Sequence, residues 1–289
     1  MTDKCAIFCL SLAIPRENIF NEGPGSRHPP AAPGSSAPKG PVMNPYAAIC
    51  DDFGIFAYLN TKLELPSSTE TVLHFFEAIQ KSFPDMRQFE RGEAGEFVLE
   101  EDTDEGSLRS VTLEPRRLAS AHMNPDSLED ADRQHERVLD IAPYHLDLSS
   151  LNCDSLDVLF TFDFMYRGNH HAVVAEALAQ GSPFEGLLQL PGSRVTHFEP
   201  SMMVTLDDDG RLQARLWIET RTSAQQVQSG NFNEMPIRVY FQLHQEWSRQ
   251  PFKSFSEAYW HRRRLAQELV ESHVLPGILL PLQQTIAMR

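Results

Sequence analysis

The chain has little of what would advertise an enzyme or a nucleic-acid binder. It holds four cysteines, Cys5, Cys9, Cys50 and Cys153, with no CxxC pair and no histidines at zinc-finger spacing. That excludes the common structural zinc motifs and reads as a reduced protein, expected in the cytoplasm. No GxSxG elbow, HExxH helix, GxxxxGK[ST] loop or GxGxxG turn occurs, so the usual hydrolase, zinc-protease and nucleotide-binding signatures are missing and no cofactor is expected. Basic residues are few: 25 Lys and Arg face 40 Asp and Glu, for a formal net charge of −15. Nucleic-acid binding rests on clustered Lys and Arg that release counterions, so nucleic acid is excluded as a main partner. Arg262-Arg263-Arg264 is the one basic run, and three successive side chains on a helix point three ways, as on a solvated face. No apolar run approaches the roughly 20 residues that cross a bilayer, so no membrane is expected as a partner. The apolar stretch through Ile14 has only Lys4 before it and no small-x-small site, unlike a secretory signal.

What is present is a change of period at one place. From Leu156 to Tyr166 the chain is dense in Val, Leu, Phe and Tyr, with Asp157, Thr161 and Asp163 interleaved, the pattern of a half-buried strand. Arg167-Gly168-Asn169 is then turn chemistry, with Asn169 an N-cap, Val173, Val174, Ala177 and Leu178 an apolar stripe, and Gly181 a C-terminal stop. An earlier stretch repeats this in other letters. Ile55–Leu65 alternates, Ser67 to Glu70 spells a capping box, and Val72–Phe83 is amphipathic up to Pro84.

The organisation follows. Residues 1–43 are rich in Pro, Gly, Ser and Ala and are expected to be disordered; a second reading starts translation at Met43. Residues 44–148 make a first α+β half. After its opening strand and helix come weak strand signal at Gln88–Glu90, alternation at Glu96–Glu101, an acidic turn at Asp104-Glu105-Gly106, and a strand at Leu108–Leu113 that continues past a bulge at Pro115 as Leu118–Met123. Asp126 to Glu129 opens a helix with Leu128, Ala131, His135, Val138 and Leu139 inward, closed by Pro143.

Residues 149–275 make the second half. After the strand and helix of Leu156–Gly181, Pro183–Gly192 is a loop with one helical turn. Val195–Leu206 and Arg211–Thr220 pair across Asp207-Asp208-Asp209-Gly210, Arg221–Glu234 is loop, and Pro236–Trp247 is a long strand. A helix Phe255–Val274 follows a capping box from Ser254 to Glu257. The apolar tail 276–289 packs on its own sheet or inserts into a partner. The fold class is α+β: tandem, pseudo-duplicated β-α-β-β(-β)-α modules whose antiparallel strands join in one curved sheet or two abutting ones, with helices on one face.

Three functions are compatible with this. The first is a non-enzymatic interaction or assembly protein, with a protein partner or self-association through the open sheet face and the tail. The second is a hydrolase or metal-dependent enzyme using His170, His171, His197, Glu199 or Asp163 in a groove between the halves. His197 and Glu199 alternate on an expected strand and so share a face, and with His171 they could gather ligands. The third is a small-ligand module with a cavity between sheet and helices. Cys153 near His145 and Asp147 suggests a thiol site, but Asp154 and Asp157 would raise its pKa.

Overall fold

A computed structural model describes residues 44–92, 94–102, 106–247 and 252–289. Segment 1–43, with Cys5 and Cys9, lies outside the described residues, as do Asp104 and Glu105 of the first acidic turn.

The first half supplies β1 (Asp52–Thr61), α1 (Thr69–Gln80), β2 (Met86–Arg91), β3 (Phe97–Glu101), β4 (Leu108–Glu114), β5 (Arg117–Met123) and α2 (Leu128–His145). The second supplies β6 (Cys153–Arg167), α3 (His170–Leu178), α4 (Glu185–Leu188), β7 (Ser201–Thr205), β8 (Leu212–Glu219), α5 (Ala224–Ser229), β9 (Glu234–Glu246) and α6 (Phe255–Leu269). A π-helical segment (Val270–Leu279) and α7 (Leu280–Ala287) end the chain. All nine strands form one antiparallel sheet in the order β2-β3-β4-β5-β1-β6-β9-β8-β7. The two halves therefore meet along β1 and β6, and β2 and β7 are the outer edges.

Helix starts obey capping chemistry, with a shift. Ser68 caps α1, accepting from Thr71 N–H, and Ser127 caps α2, accepting from Asp130 N–H. Each true cap lies one residue after the one the Ser67 and Asp126 patterns select, because Ser68 and Ser127 are the residues whose extended backbone turns their hydroxyls onto the exposed amides. Leu118–Met123 is not a continuation of β4 but its return strand. Glu114 pairs with Arg117 across Pro115-Arg116, and the fixed φ of proline suits the first corner of a tight turn. Pro143 lies inside the last turn of α2. Arg221–Glu234 contains a helix, α5, with a full capping box from Ser223 to Gln226 and Gly230 in the left-handed conformation at its end.

Buried residues of α1, α2, α3 and α6 join one core with one face of the sheet. At its centre Tyr46, Phe53, Phe160 and Phe162 pack with ring centroids 4.7 to 6.5 Å apart, and such pairs add about 0.5–1.5 kcal/mol each beyond their area. Strand β6 is buried on both faces rather than one. It is central, and its polar side is roofed by side chains of its neighbours: Asp157 accepts from Asn60 (3.1 Å) and Gln242 (3.2 Å) and contacts His244 (2.7 Å), and Asp163 accepts from Arg238 Nε (2.5 Å). On the same face Trp217 stacks on Tyr240 at 4.5 Å, and Arg215 lies 4.8 Å over Trp217. The face opposite the helices is thus covered by its own aromatic and paired polar side chains.

One further expectation is overturned. Arg262 and Arg263 are buried, at 0% and 2% exposure. They fall on the inward stripe with Tyr259 and Ala266, where Arg263 pairs with Asp132 (2.8 Å) and lies over Phe160, and Arg262 is held between Trp247 and Phe252. A guanidinium is weakly hydrated and stacks on rings, which makes this burial tolerable. The apolar tail packs on its own fold, one of the two outcomes expected for it. The π-helical segment carries the chain through Pro276 into α7, with Leu279 and Leu282 fully buried and α7 packed on α3. No helix among the described residues is long and apolar enough to cross a membrane.

Candidate functional site

The corner between β6 and α3 is built by Gly168 and Asn169. A Cβ at Gly168 would lie 2.5 Å from the Tyr166 ring, so a larger residue there would have to push that ring aside. Asn169 caps α3 by accepting from Ala172 N–H (3.2 Å) and donates to Val195 O (2.7 Å). The first turn of α3 then presents His170 and His171, both buried, in directions about 100° apart.

The structure brings His171, His197 and Glu199 together, with one ligand atom of each within 4.8 Å of the others. His197 and Glu199 reach the cluster from an irregular stretch before β7, not from a strand as expected. The bonds of His171 decide what the cluster can do. Its Nδ1 accepts the Phe198 N–H (3.1 Å), and its Nε2 donates to Thr222 O (3.1 Å). Both partners are backbone groups of fixed polarity, so the imidazole is the neutral Nε2–H form and its single lone pair is already engaged. A metal ion would have to displace Phe198. Glu199 Oε1 accepts from Thr220 N–H (3.0 Å) and Thr220 Oγ1 (2.6 Å). Burial works against its charge, but those two bonds outweigh it and hold the carboxyl below its ordinary range.

His170 is bound in the same manner. Nδ1 accepts from Arg221 N–H (3.1 Å) and Nε2 donates to Tyr166 O (3.2 Å). Burial holds this imidazole below its ordinary pKa. The two histidines act as a clasp that ties α3 to residue 198 and to residues 220–222. Asp163 is not part of the cluster; it faces Arg238 on the opposite side of the sheet, with burial pushing its carboxyl up. Cys153 is fully buried and burial raises its thiol; Cys50 is likewise pushed up to about 12. Neither is a thiolate nucleophile. Ser120 Oγ and His135 Nδ1 stand 2.8 Å apart, a pairing the sequence reading missed, but both are closed off in the core.

No model of a known protein family matches the chain, and no curated protein matches its sequence. The site must be argued from its own geometry.

Several exposed large apolar residues gather at the β7 end of the sheet. Met202, Met203 and Val204 are 68%, 63% and 44% exposed. Phe184, Leu187 and Leu190, in and beside α4, and Leu206 after β7 are also exposed, with Phe184 set edge-on to Phe198 at 6.4 Å. The ladder with β8 shows which way the backbone points. Leu206 N–H donates to Leu212 O (2.8 Å) and Ile218 N–H to Pro200 O (3.1 Å), with Met202 opposite Leu216 and Val204 opposite Ala214 between them. In an antiparallel pair both groups of one residue point the same way and alternate along the strand. Met202 and Val204 therefore bond to β8, and the N–H and C=O of Ser201, Met203 and Thr205 point to the open edge. The sequence signal for this was plain in hindsight: SMMVT carries no charge.

Proposed function

We propose that this chain is a non-enzymatic protein-interaction module whose binding surface is the β7 edge and the apolar residues leading into it. One observation carries the reading: an uncharged strand with outward backbone groups and exposed methionines ends a nine-stranded sheet. Such an edge is a template for another strand, and proteins that do not use it normally guard it. The test is the size of the complex formed by the native protein in extracts of its own cells, compared with a Met202→Lys, Val204→Lys variant. The native protein is expected to elute well above 32.7 kDa and the variant as a monomer. Both positions are exposed, so stability should stay within about 0.5 kcal/mol. A native protein that elutes as a monomer would remove the reading.

The convergence of His171, His197 and Glu199 favours a second reading, a metal-dependent enzyme. It requires a free lone pair on His171, and both ring nitrogens are bonded. Metal analysis of the purified protein separates the two readings: stoichiometric zinc, iron or manganese would favour the second.

We also infer that the halves are copies of one β-α-β-β-β-α unit. In support, β1, α1, β3, β4, β5 and α2 correspond in order to β6, α3, β7, β8, β9 and α6, and the strands run outward from β1 and β6 in the same sequence. In this alignment β2 has no counterpart. The irregular segment after α4 stands in its place along the chain.

A further inference from the structure

We propose that β7 pairs antiparallel with β7 of a second copy about a two-fold axis at Met203, joining two sheets into one. This rests on the interaction reading above and names its partner.

The register argues for a second copy. With the axis at Met203, Met203 faces its own symmetry mate, and Ser201 faces Thr205 of the other copy in both directions. Each outward N–H and C=O of β7 then meets an outward group of the same strand. Moving the axis by one residue to Val204 sets Ser201 opposite Asp207, and moving it to Met202 sets Thr205 opposite Glu199, so either shift brings an acidic residue into the pairing. The side chains agree. Around Met203, Met202 lies opposite Val204 of the other copy on the helix-side face, and residues directly opposite share a face and pack.

Charge opposes the pairing only outside the strand. Each copy carries −15, yet no like charges oppose one another within residues 201–205. The first that do are Asp207 and Glu199 at the rim, so association should tighten as salt screens the rest of the surface.

The other edge explains why pairing stops at two. Along β2, Arg87, Glu90 and Arg91 are exposed, and charged edges resist strand addition. With one usable edge, the contact must be isologous and closed. In the first half β3 is covered by β2, whereas its counterpart β7 has no outer neighbour among the described residues. The second copy fills that place.

The experiment uses the purified full chain. Light scattering after size exclusion is expected to give twice 32.7 kDa, with tighter association at higher salt. Amide exchange should be slow at Ser201, Met203 and Thr205 in the dimer and quicken on dilution. A Met203→Cys variant should form an intermolecular disulfide under mild oxidation, because a hydrogen-bonded antiparallel pair holds its Cα atoms about 5.5 Å apart, within disulfide range. A Gln88→Cys variant on β2 and the unmodified chain should not. Three results would each overturn the proposal: a monomer at every concentration, a monomer whose 201, 203 and 205 amides are already protected by another part of its chain, or a dimer that leaves those amides unprotected. If the purified chain is monomeric but the complex in cell extracts is still lost in the Met202→Lys, Val204→Lys variant, self-pairing falls and the interaction reading stands.

Discussion

Strands β2 and β7 end the same sheet, and they treat water in opposite ways. On β2 the single large apolar residue exposed, Phe89, is packed against Phe76 and Phe97, and Arg87, Glu90 and Arg91 surround it. On β7 the residues are Ser, Met, Met, Val and Thr, all exposed. A sheet pays little to leave an edge open to water, but it risks pairing with any strand that arrives. The contrast is that the same chain carries the standard remedy at one edge and leaves it off at the other.

The contrast can be broken or sharpened. The largest effect should come from removing the guard on β2. Replacing Arg87, Glu90 and Arg91 together by Val gives the sheet two usable edges, and closed assembly should give way to open-ended growth, seen as rising light scattering with concentration.

Next is acid, which should act on the half that owns β2. Burial, with Arg109 nearby, holds His122 down to about 3, and burial holds His135 well below its ordinary value. Both stay neutral in the folded protein while the unfolded chain takes up protons near pH 6.5. Their contribution to stability is therefore complete above about pH 6.5 and drains as pH falls below it, by up to about 1.4 kcal/mol per pH unit for each, down to about pH 3 for His122. Urea unfolding from pH 7 to pH 4 should show a shallower decline in a His122→Gln variant.

A smaller effect belongs to the β7 half alone. His171→Ala removes the acceptor of Phe198 N–H and the donor to Thr222 O, a loss of about 2 kcal/mol. Amide exchange should quicken around residues 198–222 and stay unchanged along β2 and β3. The smallest expected effect is that of zinc. An occupied site would add about 2.7 kcal/mol at about 100 times its Kd, and the engaged lone pair of His171 predicts no gain in the thermal midpoint.

Much of the fold was legible because it is local chemistry. The change of period at Arg167 to Asn169, the Asp207–Gly210 turn with Gly210 at φ +71°, and the serine before α6 each state a boundary within a few residues. The single sheet was one of two arrangements the pattern allowed. The misreadings have a common cause. Arg262 and Arg263 were read by their charge, although their spacing from Tyr259 and Ala266 already placed them on the inward stripe. The tail 276–289 was read as packing on its own sheet or on a partner, and its choice of α3 was not legible because that helix lies about a hundred residues earlier. His171, His197 and Glu199 were legible as neighbours, but the backbone bonds that occupy His171 were not. The apolar surface was sought on the sheet face and in the tail, and it lies instead on β7 and beside α4.

By itself the sequence determined that strands and helices combine as α+β, where most of them begin to within a few residues, and which chemistries the chain does not advertise. Those follow from interactions among residues a few places apart. Tertiary structure alone decided that β6 is buried on both faces, that two arginines enter the core, that a histidine pair ties backbone to backbone, and that β7 has no outer neighbour among the described residues. Each of these depends on which distant strand or helix arrives alongside, and burial is a property of that company and not of the residue.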